Sequence, residues 1–413
     1  MEQESKKLKD IEPRSQKQEI KKVESITSKS QKIKWIIVGI FSIGIIMISV
    51  GALVITFKKG SESFPIPSEK SIPETPFKTG TPSEVEPVKE VKVKDVQFVK
   101  DIVPVFAKFC DELNNYEVMW TIENPSDNIA KIKLTSQVSQ YSQPKIDEVQ
   151  IDPKTTKIVR QCITFDEFTL KSITEKTKAS LQLTAYLGEK TIYNQSVAIW
   201  IHAWDDMIWS LNAPMDTSEL IAAWVTPRNP AVMEVISKAK EKTSDRSLIG
   251  CQFMVDENRM KEELKAIYDT LCFDYRVSYV STPVSYAPGI SQRVSLPSEV
   301  IKYKSANCID GSVLYASLME ALNFEPEIVL IPGHAFVCAY CPSAYARYCI
   351  ETTLMKDCSS FLFFQFSSFD SAVQEGYQEW YQYFNNLPSC RPNENTCIIS
   401  VKEARKKGIT PLE

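Results

Sequence analysis

Hydrophobic and polar positions alternate with different periods in different parts of the chain, and the changes of period mark its organisation. Residues 35–57 form an apolar run with no charged side chain and no polar face. At a rise of about 1.5 Å per residue such a run crosses the roughly 30 Å hydrocarbon core of a bilayer. A buried core helix of this length would keep a polar face. A signal peptide would have a shorter apolar run with small residues at a cleavage site. The pattern therefore predicts a transmembrane helix over 35–57. Residues 1–34 are rich in Lys, Glu and Ser and lack apolar periodicity, which predicts a disordered tail. Residues 58–94 carry Pro65, Pro67, Pro73, Pro76, Pro82 and Pro87 among polar residues, the texture of an extended linker.

From 95 to 203 the period is two. Ile132, Leu134 and Val138 alternate with polar residues, as do Leu181, Leu183, Ala185 and Leu187. Gly188-Glu189-Lys190 reads as a turn into another largely apolar strand over 191–201. Short strands with polar turns and almost no helix signal predict an Ig-like β-sandwich domain, which carries no catalytic pattern and reads as a spacer.

From 204 to 413 the period becomes helical. Asn229-Pro230 is a cap followed by proline at the first helical position. Residues 257–271 place Met260, Leu264, Ile267 and Leu271 on one face. Asn307 can cap a helix over 308–322 with Val313, Leu314, Leu318 and Leu322 as its inner side. Strands are expected over 327–331, 335–340 and 347–353, and an aromatic helix over 368–385. The fold class is α+β.

The net charge of −4, with no basic stripe in the folded part, argues against nucleic acid as a partner. Lys17, Lys21, Lys22, Lys29, Lys32 and Lys34 precede the apolar run, whereas Lys58, Lys59 and Lys70 follow it. This bias predicts a single-pass protein with a cytoplasmic N-terminus and its C-terminal domains outside the cell. Eleven cysteines, an odd number, leave at least one free thiol if the others pair within the chain. Disulfides suit an oxidising exterior. Cys338, Cys341, Cys349 and Cys358 could also be read as zinc ligands. Cys338 and Cys341 fall in and just after a strand rather than in a tight knuckle, however, so disulfides around the hairpin and between Cys390 and Cys397 are the favoured reading. No cofactor or metal is called for.

Three segments carry candidate chemistry. Ser305-Ala306-Asn307-Cys308-Ile309-Asp310 opens a helix, Pro332-Gly333-His334-Ala335-Phe336-Val337 opens a strand, and Ile350-Glu351-Thr352-Thr353 follows on the return strand. A thiolate is the nucleophilic form of cysteine, and a helix start favours negative charge. A nearby imidazole lowers the thiol pKa further and serves as base. The chain has only two histidines, so His334 has almost no rival. Glu351 is placed to orient the ring, with Asp357 as a fallback. Gln292 is the candidate side-chain donor to an oxyanion, together with the backbone N–H of Cys308. Asp310, in the first helical turn, suits the helix dipole.

The stretch from about Gln292 to Thr353 resembles the transglutaminase-like superfamily of papain-type cysteine enzymes, and the resemblance extends over most of residues 204–413. Gly333-His334-Ala335-Phe336-Val337 matches the family's histidine motif, and Cys308 and Glu351 fall on its nucleophile and carboxylate positions. It is most similar to the prokaryotic branch whose third motif is Glu-Thr-Thr. The chain departs from the pattern at Ala306, where glycine is frequent, and at Glu351, where aspartate is common. The resemblance implies a cysteine protease or amidase, or a protein cross-linker, acting on a protein or peptide substrate through Cys308, His334 and Glu351. The alternative is a catalytically inactive surface binding or scaffolding protein that keeps the fold.

Overall fold

The computed structural model describes residues 90–413, apart from 212, 214, 255, 282–288, 358–368, 385–389 and 392–394. The expected tail, apolar run and nearly all of the linker lie outside the described residues. No described helix is long and apolar enough to cross a membrane. The fold of the described residues is mixed α+β.

The period-two segments are strands, and their apolar positions face inward. The strands are β1 (Lys92–Phe98), β2 (Asp101–Ile102), β3 (Val118–Asn124), β4 (Ala130–Val138), β5 (Lys145–Ile151), β6 (Thr155–Gln161), β7 (Thr177–Leu187) and β8 (Lys190–Ile201). β4 alternates buried and accessible positions along its length, with Ile132, Leu134 and Val138 inside. Gly188-Glu189 turns β7 into β8, with Leu187 paired to Lys190 and Gly188 at φ 60°. One sheet has the order β1-β3-β6 and the other β2-β8-β7-β4-β5. Inward residues of both sheets, among them Trp120, Ile122, Leu134, Leu181 and Leu183, form one apolar cluster. The first strand starts at Lys92, slightly before the position expected from the proline-rich texture.

Three short helices break the expected all-strand reading here: α1 (Pro104–Lys108), α2 (Cys110–Leu113) and α3 (Glu167–Lys171). Tertiary packing explains the first. Val103, Val105 and Phe106 are buried in the apolar cluster formed mainly by residues 207–412, so this segment serves a core that its neighbours in sequence do not share. His202 is also fixed here, with Nδ1 at 3.0 Å from Asp206 Oδ2.

Beyond β8 come β9 (Asp206–Ile208), α4 (Pro230–Ala239), α5 (Glu257–Asp269), β10 (Ser278–Tyr279), β11 (Ser291–Arg293), α6 (Pro297–Tyr303), β12 (Ser305–Ala306) and α7 (Cys308–Ala321). Then follow β13 (Glu325–Ile331), β14 (His334–Cys341), β15 (Ala346–Ile350), α8 (Phe369–Phe384), β16 (Cys397–Ser400) and α9 (Val401–Lys406). Asn229 caps α4 by accepting from Ala231 N, and Met260, Leu264, Ile267 and Leu271 are all fully buried.

Strands β15-β14-β13-β16 form one antiparallel sheet. Ile328 and Leu330 point to the cluster that contains α7, while Val329 and Ile331 point to Trp380 and Phe384 of α8. Burial of both faces explains the continuous apolar run 328–331. It also corrects the reading of α7: instead of one inner side, every residue from Cys308 to Met319 is buried. The helix is central, held between the sheet and α4, α5 and α6, and Tyr315 reaches across to donate to Leu264 O at 2.5 Å.

Disulfides join Cys110 to Cys162, Cys251 to Cys341, Cys338 to Cys349 and Cys390 to Cys397. The Cys338–Cys349 bond links directly opposed residues of β14 and β15. With Cys338, Cys341 and Cys349 so engaged, the zinc reading of these cysteines falls.

Candidate active site

The cysteine segment is organised by a reciprocal cap. Asn307 Oδ1 accepts from Asp310 N at 2.9 Å, and Asp310 Oδ2 accepts from Asn307 N at 3.1 Å. Asp310 Oδ1 also accepts from Ser295 N at 2.8 Å, tying the loop after β11 to the start of α7. Burial pushes the Asp310 carboxyl up to about 6, against the hydrogen bonds from Ser295 and Asn307. Asp310 is thus more than a charge suited to the dipole, because it holds the nucleophile's helix and the Gln292 strand together. Cys308 is the first residue of α7, where backbone N–H groups lack helical partners. Every other described cysteine is disulfide-bonded, so Cys308 is the free thiol among the described residues, and it is buried.

His334 opens β14 immediately after the Pro332-Gly333 turn, whose glycine sits at φ 73°, a region that favours glycine. His334 Nε2 lies 2.6 Å from Glu351 Oε2, and the ring is also hydrogen-bonded to Cys308. Burial pulls the imidazole pKa down, but the hydrogen bonds to Cys308 and Glu351 and the charges of Glu351 and Glu379 outweigh it, raising it to about 11.

Glu351 is the residue after β15 rather than part of it, since the strand ends at Ile350 and a short helical turn, Thr352–Asp357, begins next. This corrects the expected strand over 347–353. Leaving the strand lets the carboxylate reach His334 while Thr353 N donates to its other oxygen at 2.7 Å. Burial acts to raise the Glu351 pKa, yet the hydrogen bond and charge of His334 bring it below the ordinary carboxylate value. Among the described residues, Glu351 is the carboxylate hydrogen-bonded to His334. The side chain of Asp357 lies outside the described residues.

Gln292 sits in β11, paired with Met207 of β9. Its Oε1 accepts from Trp209 Nε1 at 2.8 Å, which fixes the amide so that Nε2 is the free end. Gln292 is 6% exposed and its buried Nε2 has no hydrogen-bond partner. A buried amide donor without an acceptor is costly and rare, and an incoming oxyanion is an acceptor that would satisfy it.

The sequence reading missed Glu379. It projects from α8, with Oε2 at 3.7 Å from His334 Nε2. Burial, followed by the charge of Glu351, raises its carboxyl pKa to about 8. A glutamate one position before a buried tryptophan on an amphipathic helix gives no signal to distinguish it from a solvated one. His334, Glu351 and Glu379 have ligand atoms within 4.8 Å of one another. The 2.6 Å contact is a direct hydrogen bond, shorter than the roughly 3.3 Å that separates two ligands on a tetrahedral ion with bonds of about 2.0 Å.

Compared with known proteins, the chain matches no family model and no curated protein.

Proposed function

We propose that the chain is a membrane-anchored thiol acyl-transfer enzyme of transglutaminase-like, papain-type class, with an Ig-like β-sandwich beside the catalytic domain. The observation that carries this reading is the arrangement at His334. The His334 ring lies 2.6 Å from the buried Glu351 carboxylate and interacts with the free thiol of Cys308, which stands at a helix start. The imidazole, its pKa raised to about 11, is a proton donor already in place for a leaving group.

In this mechanism Cys308 Sγ attacks the carbonyl carbon of a carboxamide or peptide. The oxyanion so formed takes hydrogen bonds from the Cys308 N–H and from Gln292 Nε2. His334 passes its proton to the leaving amine and a thioester remains. Neutral His334 then takes a proton from water as the water attacks the thioester, releasing the acid and returning Cys308 Sγ and a protonated His334 to their starting state. An amine in place of water gives a cross-link. Hydrolysis is the reading favoured here, because it makes the looser demand on the acceptor. Glu351 keeps the ring oriented and stabilises its charged form.

The disulfides support placing these domains in an oxidising compartment, and the uncharged run 35–57 supports an anchor. Protease added to intact cells should remove the residues after the run. Removal of residues 1–34 instead would invert the topology.

The enzymatic reading is tested with an electrophilic, activity-based thiol probe. Cys308 should be labelled, and labelling should fall sharply in His334→Ala. An unlabelled Cys308 in the folded protein would leave the alternative, a binding or scaffolding protein that keeps the fold without the chemistry.

A further inference from the structure

Beside the pair of His334 and Glu351 stands a carboxyl group that the mechanism does not use. Glu379 comes from α8, and the packing of that helix makes its approach specific. Gly376, one turn before, lies so close to β15 that a Cβ there would meet Cys349 O at 2.5 Å. Glu351 N donates to Ala372 O of α8 at 3.0 Å, so the backbone of the orienting residue is fastened to the same helix. Glu379 thereby reaches within 4.8 Å of both His334 and Glu351, and its buried Oε2 has no hydrogen-bond partner. Two carboxyl groups can share a hydrogen bond only if one carries a proton. Glu351 already accepts from His334 and from Thr353 N, and is the better placed to hold the charge.

We propose that Glu379 is a positioning residue which, as a neutral acid, donates its proton to Glu351, and which on ionising adds a second negative charge beside His334. This rests on the acyl-transfer reading and deepens it, by making one carboxyl group a pH-dependent control on the ring. The neutral form adds a third hydrogen bond to Glu351 and braces it against His334. The ionised form loses that bond, repels Glu351 and binds the ring proton more tightly, which slows its delivery to a leaving amine. A rise of the Glu379 pKa to about 8, from burial and the Glu351 charge, puts the change just above neutrality.

The groups that bear on Glu379 are few. β14 supplies His334, the end of β15 supplies Glu351, and α8 itself supplies Glu375 one turn away. From α5, Lys261 pairs with Asp370 in the first turn of α8, and Glu257 accepts from Tyr348 of β15. Arg347 of β15 is held by Glu327.

The test is run on the disulfide-intact protein with two readouts that need no substrate. In wild type, the ring signal of His334, labelled at Cε1, should show an inflection near pH 8, and Glu379→Gln should abolish it while the ring stays protonated. In parallel, Cys308 is alkylated with neutral iodoacetamide and anionic iodoacetate. The iodoacetate-to-iodoacetamide rate ratio should fall about fivefold to tenfold from neutral pH to about pH 9 in wild type, the scale of one added charge in a partly buried site. It should stay flat in Glu379→Gln. No inflection in wild type, or an unchanged inflection in Glu379→Gln, overturns the proposal. Should Glu379→Gln not fold, the wild-type profile alone decides. Failure of Cys308 to alkylate at all, in a protein whose ring signal does show the inflection, sinks the enzymatic reading and leaves the carboxyl pair standing.

Discussion

At the scale of single residues, the site depends on which polar groups are satisfied and which are not. Gln292 has its oxygen bound by Trp209 and its nitrogen unbound, a state that makes sense when an acceptor arrives during the reaction. Gln292→Ala should therefore lower turnover by about 10²-fold or more while leaving alkylation of Cys308 largely unchanged. Steady-state kinetics beside alkylation rates separate the two effects, and equal losses in both would indicate a role in supporting Cys308 instead. A second expectation concerns the ring. His334 should remain protonated far above its ordinary value of 6.5, toward about 11. Glu351→Gln should bring the midpoint down by more than one pH unit. Ring NMR can resolve this because the chain has only two histidines. A wild-type midpoint near the ordinary value would contradict the hydrogen-bond geometry. Cys308 and His334 were legible because cysteine and histidine chemistry is rare and each opens an element whose start the sequence marks, whereas Glu351 was found by its place in the chain and not by its expected strand. Glu379 was not, because nothing local distinguishes a buried glutamate from a solvated one when its burial comes from a distant strand.

At the scale of elements, the sequence was clearest where a cap or a period carries the information. Asn307, Asn229 and the 257–271 stripe are examples, since capping and amphipathic spacing are local physics. It was misleading where packing decides. α7 has apolar or small residues all round and reads as one-sided only if a solvent face is assumed. Glu351 reads as a strand residue because Ile350 precedes it, yet the chain leaves the sheet there to reach His334. α1 forms because its apolar residues have a core to enter, and that core is assembled from residues more than a hundred positions later. The contact of α8 with β15 gives a testable consequence. A methyl group at Gly376 would press on the Cys349 carbonyl at 2.5 Å, and backbone on both sides leaves little room to yield. Gly376→Ala should cost about 1–3 kcal/mol, the usual range for overpacking. It should be read as a lowered denaturation midpoint, with Cys308 reactivity losing its dependence on Glu379. An unchanged midpoint would mean that α8 can shift without penalty.

At the scale of the whole molecule, buried acids set how stability depends on pH. Glu117 is raised from 4.5 to about 7 chiefly by burial, and Asp205 from 3.8 to about 6 for the same leading reason. Asp310 and Glu379 are raised to about 6 and about 8, and His334 to about 11. Each of these groups binds its proton more tightly folded than unfolded. The stability it contributes is therefore complete below the unfolded pKa and is lost as pH rises through the folded one. For the acids the loss runs from about 4 to about 8, and for His334 from 6.5 toward about 11. Glu351 acts in the opposite direction: its pKa is lowered, so its contribution is present above 4.5 and lost as pH falls. Asp245, brought down to about 2 by its hydrogen bond to Ser247 and by Arg259, adds to the same acid-side loss. The two sets oppose each other only below about 4.5, so the thermal midpoint should be highest near about pH 5 and should decline steadily toward about pH 9. Circular dichroism melts across that range, in non-reducing buffer to keep the disulfides intact, would measure it. Glu379→Gln removes one titrating acid from the set and should flatten the decline between about pH 5 and about pH 8 without moving the acid limb. A midpoint that instead rises from about pH 5 to about pH 8 would mean that these carboxyl groups ionise normally in the folded protein, and that the carboxyl pair at His334 does not share a proton.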